Sequence, residues 1–163
     1  ATGLRVSTEV GHPKLSGQFI GVGTEGTTAA PPVTTRFFAI DAAAGTSAAL
    51  TLPGWEAGFV RRVHAFDRSG SRFAVLDHQG ALRMVTRQAN AWAAGPVVTG
   101  VVPTMPTAAP WPAIVANGAK DELYVTDPVA KQLVTVNSQT GAVVSRTALG
   151  FTPSAITWTG ITR

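Results

Sequence analysis

Short apolar runs alternate with polar turns along the whole chain. Residues 37–45 read FFAIDAAAG and residues 133–141 read LVTVNSQTG; the two superimpose at Ile40/Val136, Asp41/Asn137 and Gly45/Gly141. Residues 82–90 (LRMVTRQAN) are a weaker copy aligned at Thr86. Apolar–polar alternation broken by Asp, Asn, Gly and Pro predicts strands joined by turns, and helical periodicity is nearly absent. The turns have a mechanism: an Asp or Asn oxygen accepts backbone N–H groups just downstream, and Gly supplies a positive φ.

Grouping the runs gives three units. The first has strands at 18–23, 36–41 and 47–52, with a loose loop over 24–35. The second has strands at 60–66, 72–76, 82–86 and 96–102, and the third at 113–116, 122–126, 133–136 and 142–148. A last strand at 154–159 would open a fourth unit. Four antiparallel strands in about 45–50 residues make the blade of a β-propeller. The expected fold is therefore all-β, a β-propeller of four-stranded antiparallel blades, with about three blades in this chain. The blades fall at 1–55, 56–104 and 105–150, followed by a closing strand at 151–163. Propellers close with about four to eight blades, so the remaining ones are expected on a missing segment or another chain. A β-sandwich is the structural alternative, since its strand spacing is similar.

Composition fits a folded strand-and-turn protein: 45% hydrophobic and 13% charged, with 17 Gly and 11 Pro. The net charge is +4, and six arginines lie close together: Arg61, Arg62, Arg68, Arg72, Arg83 and Arg87. Without a reading helix or a stacking motif they are read as a solvated surface, and no nucleic-acid partner is expected. There is no cysteine, which excludes disulfides and thiolate metal sites. No apolar run approaches the length of a membrane span. The chain opens at Ala1 without Met, and is read as a processed form or a piece of something longer.

No GxSxG, Walker loop or HExxH occurs, and the glycine-rich GVGTEG at 21–26 has no helix after it. The histidines are the polar groups of most interest, because imidazole is a common zinc ligand. His78 lies in the turn DHQG between the second and third strands of its blade, on the face that carries blade-to-blade connections. His64 lies on the first strand of the same blade, and His12 in a turn near the start. His64 and His78 are the candidate metal ligands; no HxH or HxxxH pair is present. Asp77 and Asp127 hold equivalent slots in successive blades, which favours a turn role over catalysis. Glu56, Asp121 and Glu122 read as surface turn charges. Trp55, Trp92, Trp111 and Trp158 read chiefly as packing residues.

In order, GHPKLSGQFIGVG (11–23), RFFAIDAAAG (36–45), LPGWEAGFVRRVHAFD (52–67), FAVLDHQGAL (73–82), LYVTDPVAKQLVTVNSQTGAVV (123–144) and TPSAITWTG (152–160) span nearly the whole chain. This series resembles the C-terminal part of bacterial periplasmic zinc metallochaperones, β-propellers associated with zinc ABC transporters. The segments at 11–23 and 52–67 are the more particular ones. The resemblance implies an extracytoplasmic, periplasmic location, zinc as the bound metal, and hand-over to the transporter's solute-binding protein. It also implies a histidine-rich N-terminal sequence, which this chain lacks. The family's ligands do not map onto it residue by residue, so His64 and His78 rest on the reading of the residues. The expected function is zinc binding and delivery without catalysis. The alternatives are a metal-free interaction propeller, or a propeller enzyme such as a lactonase.

Overall fold

The computed structural model describes residues 5–11, 13–27, 30–50, 59–88 and 91–160. The fold is all-β: among the described residues, twelve strands form three four-stranded antiparallel sheets, each ordered as the chain runs. Sequential order means every strand pairs with the one just made, the up-and-down meander of a propeller blade. A sandwich would need strands to cross between sheets. No helix among the described residues is long and apolar enough to cross a membrane. The chain divides into two compact units, residues 1–62 and 63–163.

The first unit holds β1 (Arg5–Gly11), β2 (Gln18–Thr27), β3 (Ala30–Asp41) and β4 (Thr46–Leu50). Ile20 and Phe37 are its buried anchors, while β4 is exposed along most of its length. Two expectations change here. No strand is predicted before residue 18, yet β1 pairs with β2 from Arg5↔Thr24 to Gly11↔Phe19. Val6 and Val10 are the two apolar residues in its alternation with Arg5, Ser7 and Glu9, which leaves a weak signal in the sequence. The loose loop expected over 24–35 is largely ladder, with Glu25↔Thr34 and Thr27↔Ala30 paired. Pro31 and Pro32 fall where that register shifts, so their missing N–H groups cost no paired bond.

The second unit holds two blades: β5 (Phe59–Phe66), β6 (Arg72–Asp77), β7 (Leu82–Gln88) and β8 (Ala91–Val98), then β9 (Ile114–Ala116), β10 (Glu122–Asp127), β11 (Gln132–Asn137) and β12 (Val143–Ala148). The first four residues of β5 belong to the other unit. The outer strand β8 starts earlier than the expected 96–102. Pro96 sits inside it, which an edge strand tolerates. Val101 and Val102 instead leave the strand and bury completely in the following loop. The weak copy at 82–90 does not carry the expected turn at Thr86: that residue is mid-strand, paired to both Arg72 and Ala93. The strand expected at 154–159 forms no ladder, because no described strand lies beside it to share hydrogen bonds.

Burial shows how the two blades meet. Register places Leu123, Val125, Val134 and Val136 on one face, all fully buried, together with Arg146 opposite Val134. The Arg146 guanidinium donates to the carbonyls of Gly100 (2.6 Å) and Val101 (3.1 Å) beyond β8, so this face fronts the preceding blade. On that blade Ala74, Leu76, Leu82 and Met84 share a face with Arg72, whose guanidinium hydrogen-bonds the Gln139 side chain of the β11–β12 turn. Each buried Val, Leu or Met contributes about 1.5–3 kcal/mol relative to exposure. The Arg68–Asp121 pair at 3.5 Å is exposed on both sides and adds little.

Six of the hairpin turns close on an Asp or Asn at the strand end. The Oδ1 of Asp41, Asp67, Asp77, Asn117, Asp127 and Asn137 each accepts at least one backbone N–H from its own turn or the strand that follows it. Asp67, Asp77, Asn117 and Asp127 are buried. At the β6–β7 turn Gly80 has φ 74°, and its carbonyl accepts the Val102 N–H at 3.0 Å. A Cβ on Gly80 would lie 1.9 Å from the Val102 carbonyl oxygen, which is backbone and cannot yield cheaply. Gly80→Ala is therefore expected to destabilise the protein by roughly 3 kcal/mol or more. Urea unfolding measures this, and a loss under about 1 kcal/mol would contradict the close approach.

Candidate functional site

Among the described residues, a concave surface lies on one end of the second unit. The β6–β7 turn, the β10–β11 turn and the connector between the two blades gather there. Val102 N–H bonds the Gly80 carbonyl in the β6–β7 turn, and Thr126 N–H near the end of β10 bonds the Ala113 carbonyl, tying down both ends of the connector. A groove of about 420 Å³ is lined by connector residues 104–110, by Pro128 and Val129 of the β10–β11 turn, and by Thr152. Its lining carries no charge and three threonines, Thr104, Thr107 and Thr152. Trp111, Val129 and Phe151 stand exposed beside or within it, at 45%, 49% and 63%. Trp111 thus departs from the packing role expected of the tryptophans. Trp92 keeps to it, tilted against Phe66 at 5.8 Å and under the Arg87 guanidinium at 5.9 Å.

His78 is exposed at this same end, in the turn opened by Asp77. Asp77 is no candidate to join it on a metal, because both its oxygens are engaged. Oδ1 accepts the Gln79 and Ala81 N–H groups at 2.9 and 3.0 Å, and Oδ2 accepts Arg83 Nε at 2.8 Å. Asp127 Oδ1 is held likewise by Val129 and Ala130 N–H at 3.1 and 2.9 Å. The turn role read for these two residues matches those bonds. His64 lies on β5, but its side chain is outside the described residues, as are His12, Trp55 and Glu56 altogether. Among the described residues no three His, Asp or Glu side chains group as metal ligands do.

A polar cluster that the sequence reading missed lies on the other face of the last blade. Glu122, expected as a surface charge, is half-buried, and its Oε2 accepts Tyr124 Oη (2.9 Å) and Asn117 Nδ2 (3.1 Å). Asn117 Nδ2 also donates to Tyr124 Oη at 2.8 Å, and the Trp158 ring lies 6.3 Å from the tyrosine ring. The signal was the spacing: residues two apart on a strand share a face, which sets Glu122 beside Tyr124. The arginine run is also partly structural. Arg68, Arg72, Arg83 and Arg87 each contact a neighbour within the unit, while the Arg61 and Arg62 side chains lie outside the described residues.

No protein-family model and no curated protein matches this chain. Solved structures do match. The chain shares its fold with AztD of Citrobacter koseri. The apo AztD structure aligns with a TM-score of 0.64 at 19% identity, covering 92% of this chain and 36% of that one. A second AztD crystal structure aligns at 0.59 and 16%, covering 94% and 48%. A luciferin-regenerating enzyme aligns at 0.61 and 10%, covering 93% and 49%. The chain thus spans between 36% and 49% of the length of these structures. At such identities the likeness concerns the fold, and two differently described proteins share it.

The cluster around Tyr124 has a measurable consequence. Burial first, then the hydrogen bond to Glu122, raises the Tyr124 pKa above its ordinary 10.0, with Asn117 acting in the opposite direction. Tyrosine loses a proton to become charged, so a raised folded pKa means the unfolded chain ionises first. Stability from this group is complete below about pH 10 and is lost as pH rises through the folded value. Tyr124 is the one tyrosine in the sequence, so the alkaline rise in absorbance near 295 nm, over a constant tryptophan background, reports its ionisation. The tyrosinate signal is expected to appear later in the folded protein than in urea, and Tyr124→Phe to reduce the alkaline loss of stability. Coincident titration in the two states would contradict the cluster.

Proposed function

We propose that the chain is part of a periplasmic propeller protein that binds zinc and passes it to the solute-binding protein of a zinc ABC transporter. The observation that carries this reading is the fold shared with AztD over 92% and 94% of the chain; one of those structures is of an apo form. The sequence resemblance at residues 11–23 and 52–67 supports it. The proposed role is binding and transfer, not catalysis, with zinc as cargo.

Hand-over favours a ligand that a partner can reach, and His78 is the exposed imidazole among the described residues. Zinc prefers four ligands, so His78 would act with His64 and with residues beyond those described. The Asp77 carboxylate stays with its turn, since recruiting it would release the buried Ala81 N–H, the Gln79 N–H and Arg83.

A second reading, a metal-free interaction scaffold, is favoured by the uncharged groove and the exposed Trp111 and Phe151. Elemental analysis of the purified full-length protein after zinc loading and dialysis separates the two. The zinc reading expects a stoichiometric metal content that falls by about one ion per chain in the His64→Ala/His78→Ala double variant. Unchanged content in that variant would exclude both histidines as ligands, and no retained zinc in the parent would favour the scaffold.

A further inference from the structure

Three described turns share one geometry: Asp41, Asp127 and Asn137 each open a turn whose fifth residue has left-handed φ. In two of them that residue is Gly, Gly45 at φ 65° and Gly141 at φ 77°. In the β10–β11 turn it is Lys131, at φ 52°. A side chain there costs about 1 kcal/mol through the clash of Cβ with the backbone, and glycine would avoid it. Lys131 is the described non-glycine residue with positive φ, and its turn also supplies Pro128 and Val129 to the groove. Its carbonyl accepts the Leu149 N–H at 2.7 Å, which anchors the segment leading to Thr152 on the groove's other wall. The Lys131 side chain is exposed, and no ion pair holds it among the described residues. Backbone strain kept two residues along the chain from a groove-lining valine suggests that the side chain bearing it has a use.

We infer that this groove binds a small amphiphilic anion. The apolar body lies against Pro106, Pro110, Pro128 and Val129, and a single carboxylate or sulfonate pairs with the Lys131 ammonium. About 420 Å³ of uncharged lining accommodates a molecule of modest size, and the threonine hydroxyls offer it hydrogen bonds. The lining itself holds no cation, so a dianion or a strongly polar ligand would find no charge within the groove to meet it. The inference does not depend on zinc.

The test uses two fluorescent probes on the full-length protein: anilinonaphthalene sulfonate, an apolar body with one sulfonate, and its neutral analogue N-phenyl-1-naphthylamine. The anionic probe is expected to saturate at one site. Lys131→Gly should weaken it by about three- to fivefold, the size of an exposed ion pair, and leave the neutral probe unchanged. Because glycine relieves the left-handed strain, this variant should unfold at the same or higher urea concentration, so weaker binding cannot come from unfolding. Val129→Asn, at an exposed groove position, should weaken both probes. Unchanged anionic-probe affinity in Lys131→Gly, or unchanged affinity of both probes in Val129→Asn, would overturn the inference. So would failure of the anionic probe to bind the folded protein.

Discussion

The interaction on which this structure rests is the acceptance of backbone N–H groups by an Asp or Asn at the end of a strand. A hairpin turn exposes N–H groups that the ladder no longer satisfies, and a buried one left unpaired costs about 1–3 kcal/mol. In this chain the strand-ending residue carries the missing acceptor. Asp67, Asp77, Asn117 and Asp127 do so while buried, Asp41 and Asn137 at more open corners. Two of the buried carboxylates have partners on both oxygens: Asp77 from two N–H groups and Arg83, Asp67 from Arg72 N–H and the Ser69 hydroxyl.

With the corners fixed, strand length and register follow, and register decides which side chains face the neighbouring blade. A one-residue slip would carry Leu123, Val125, Val134 and Val136 out of the interface and take Arg146 away from Gly100 and Val101. The same corners shape the functional surface. Turn geometry holds His78 in solvent, puts Pro128 and Val129 on the groove, and engages both oxygens of Asp77 and the Oδ1 of Asp127. The turn role read from the equivalent places of Asp77 and Asp127 in successive blades agrees with those bonds.

Much of the fold was legible because period-two alternation and Asx turns are local signals. FFAIDAAAG and LVTVNSQTG do end in the same turn, with Gly45 and Gly141 both left-handed. What failed was also local in cause. β1 held too few apolar residues to stand out, Pro31–Pro32 masked a long hairpin, and Pro96 drew the start of β8 too late. At Thr86 apolar similarity passed for a turn that the ladder runs straight through. The site was less legible because it is assembled from distant pieces. Residues 104–110, 128–129 and 152 share no motif, and only folding brings them to one groove. Glu122 read as a turn charge because its partners, Asn117 and Tyr124, act through a face and not through the sequence.

The most direct test is a comparison of Asp127→Asn with Asp127→Ala by urea unfolding. Both hydrogen bonds at this corner go to Oδ1, which asparagine keeps and alanine lacks. Asn117 and Asn137 already fill the matching role in the same blade. The alanine variant should lose about 1–2 kcal/mol, as capping residues do, and the asparagine variant should retain most of that stability. Equal losses in the two variants, or none in either, would contradict the claim that these buried residues are held for their acceptor oxygen.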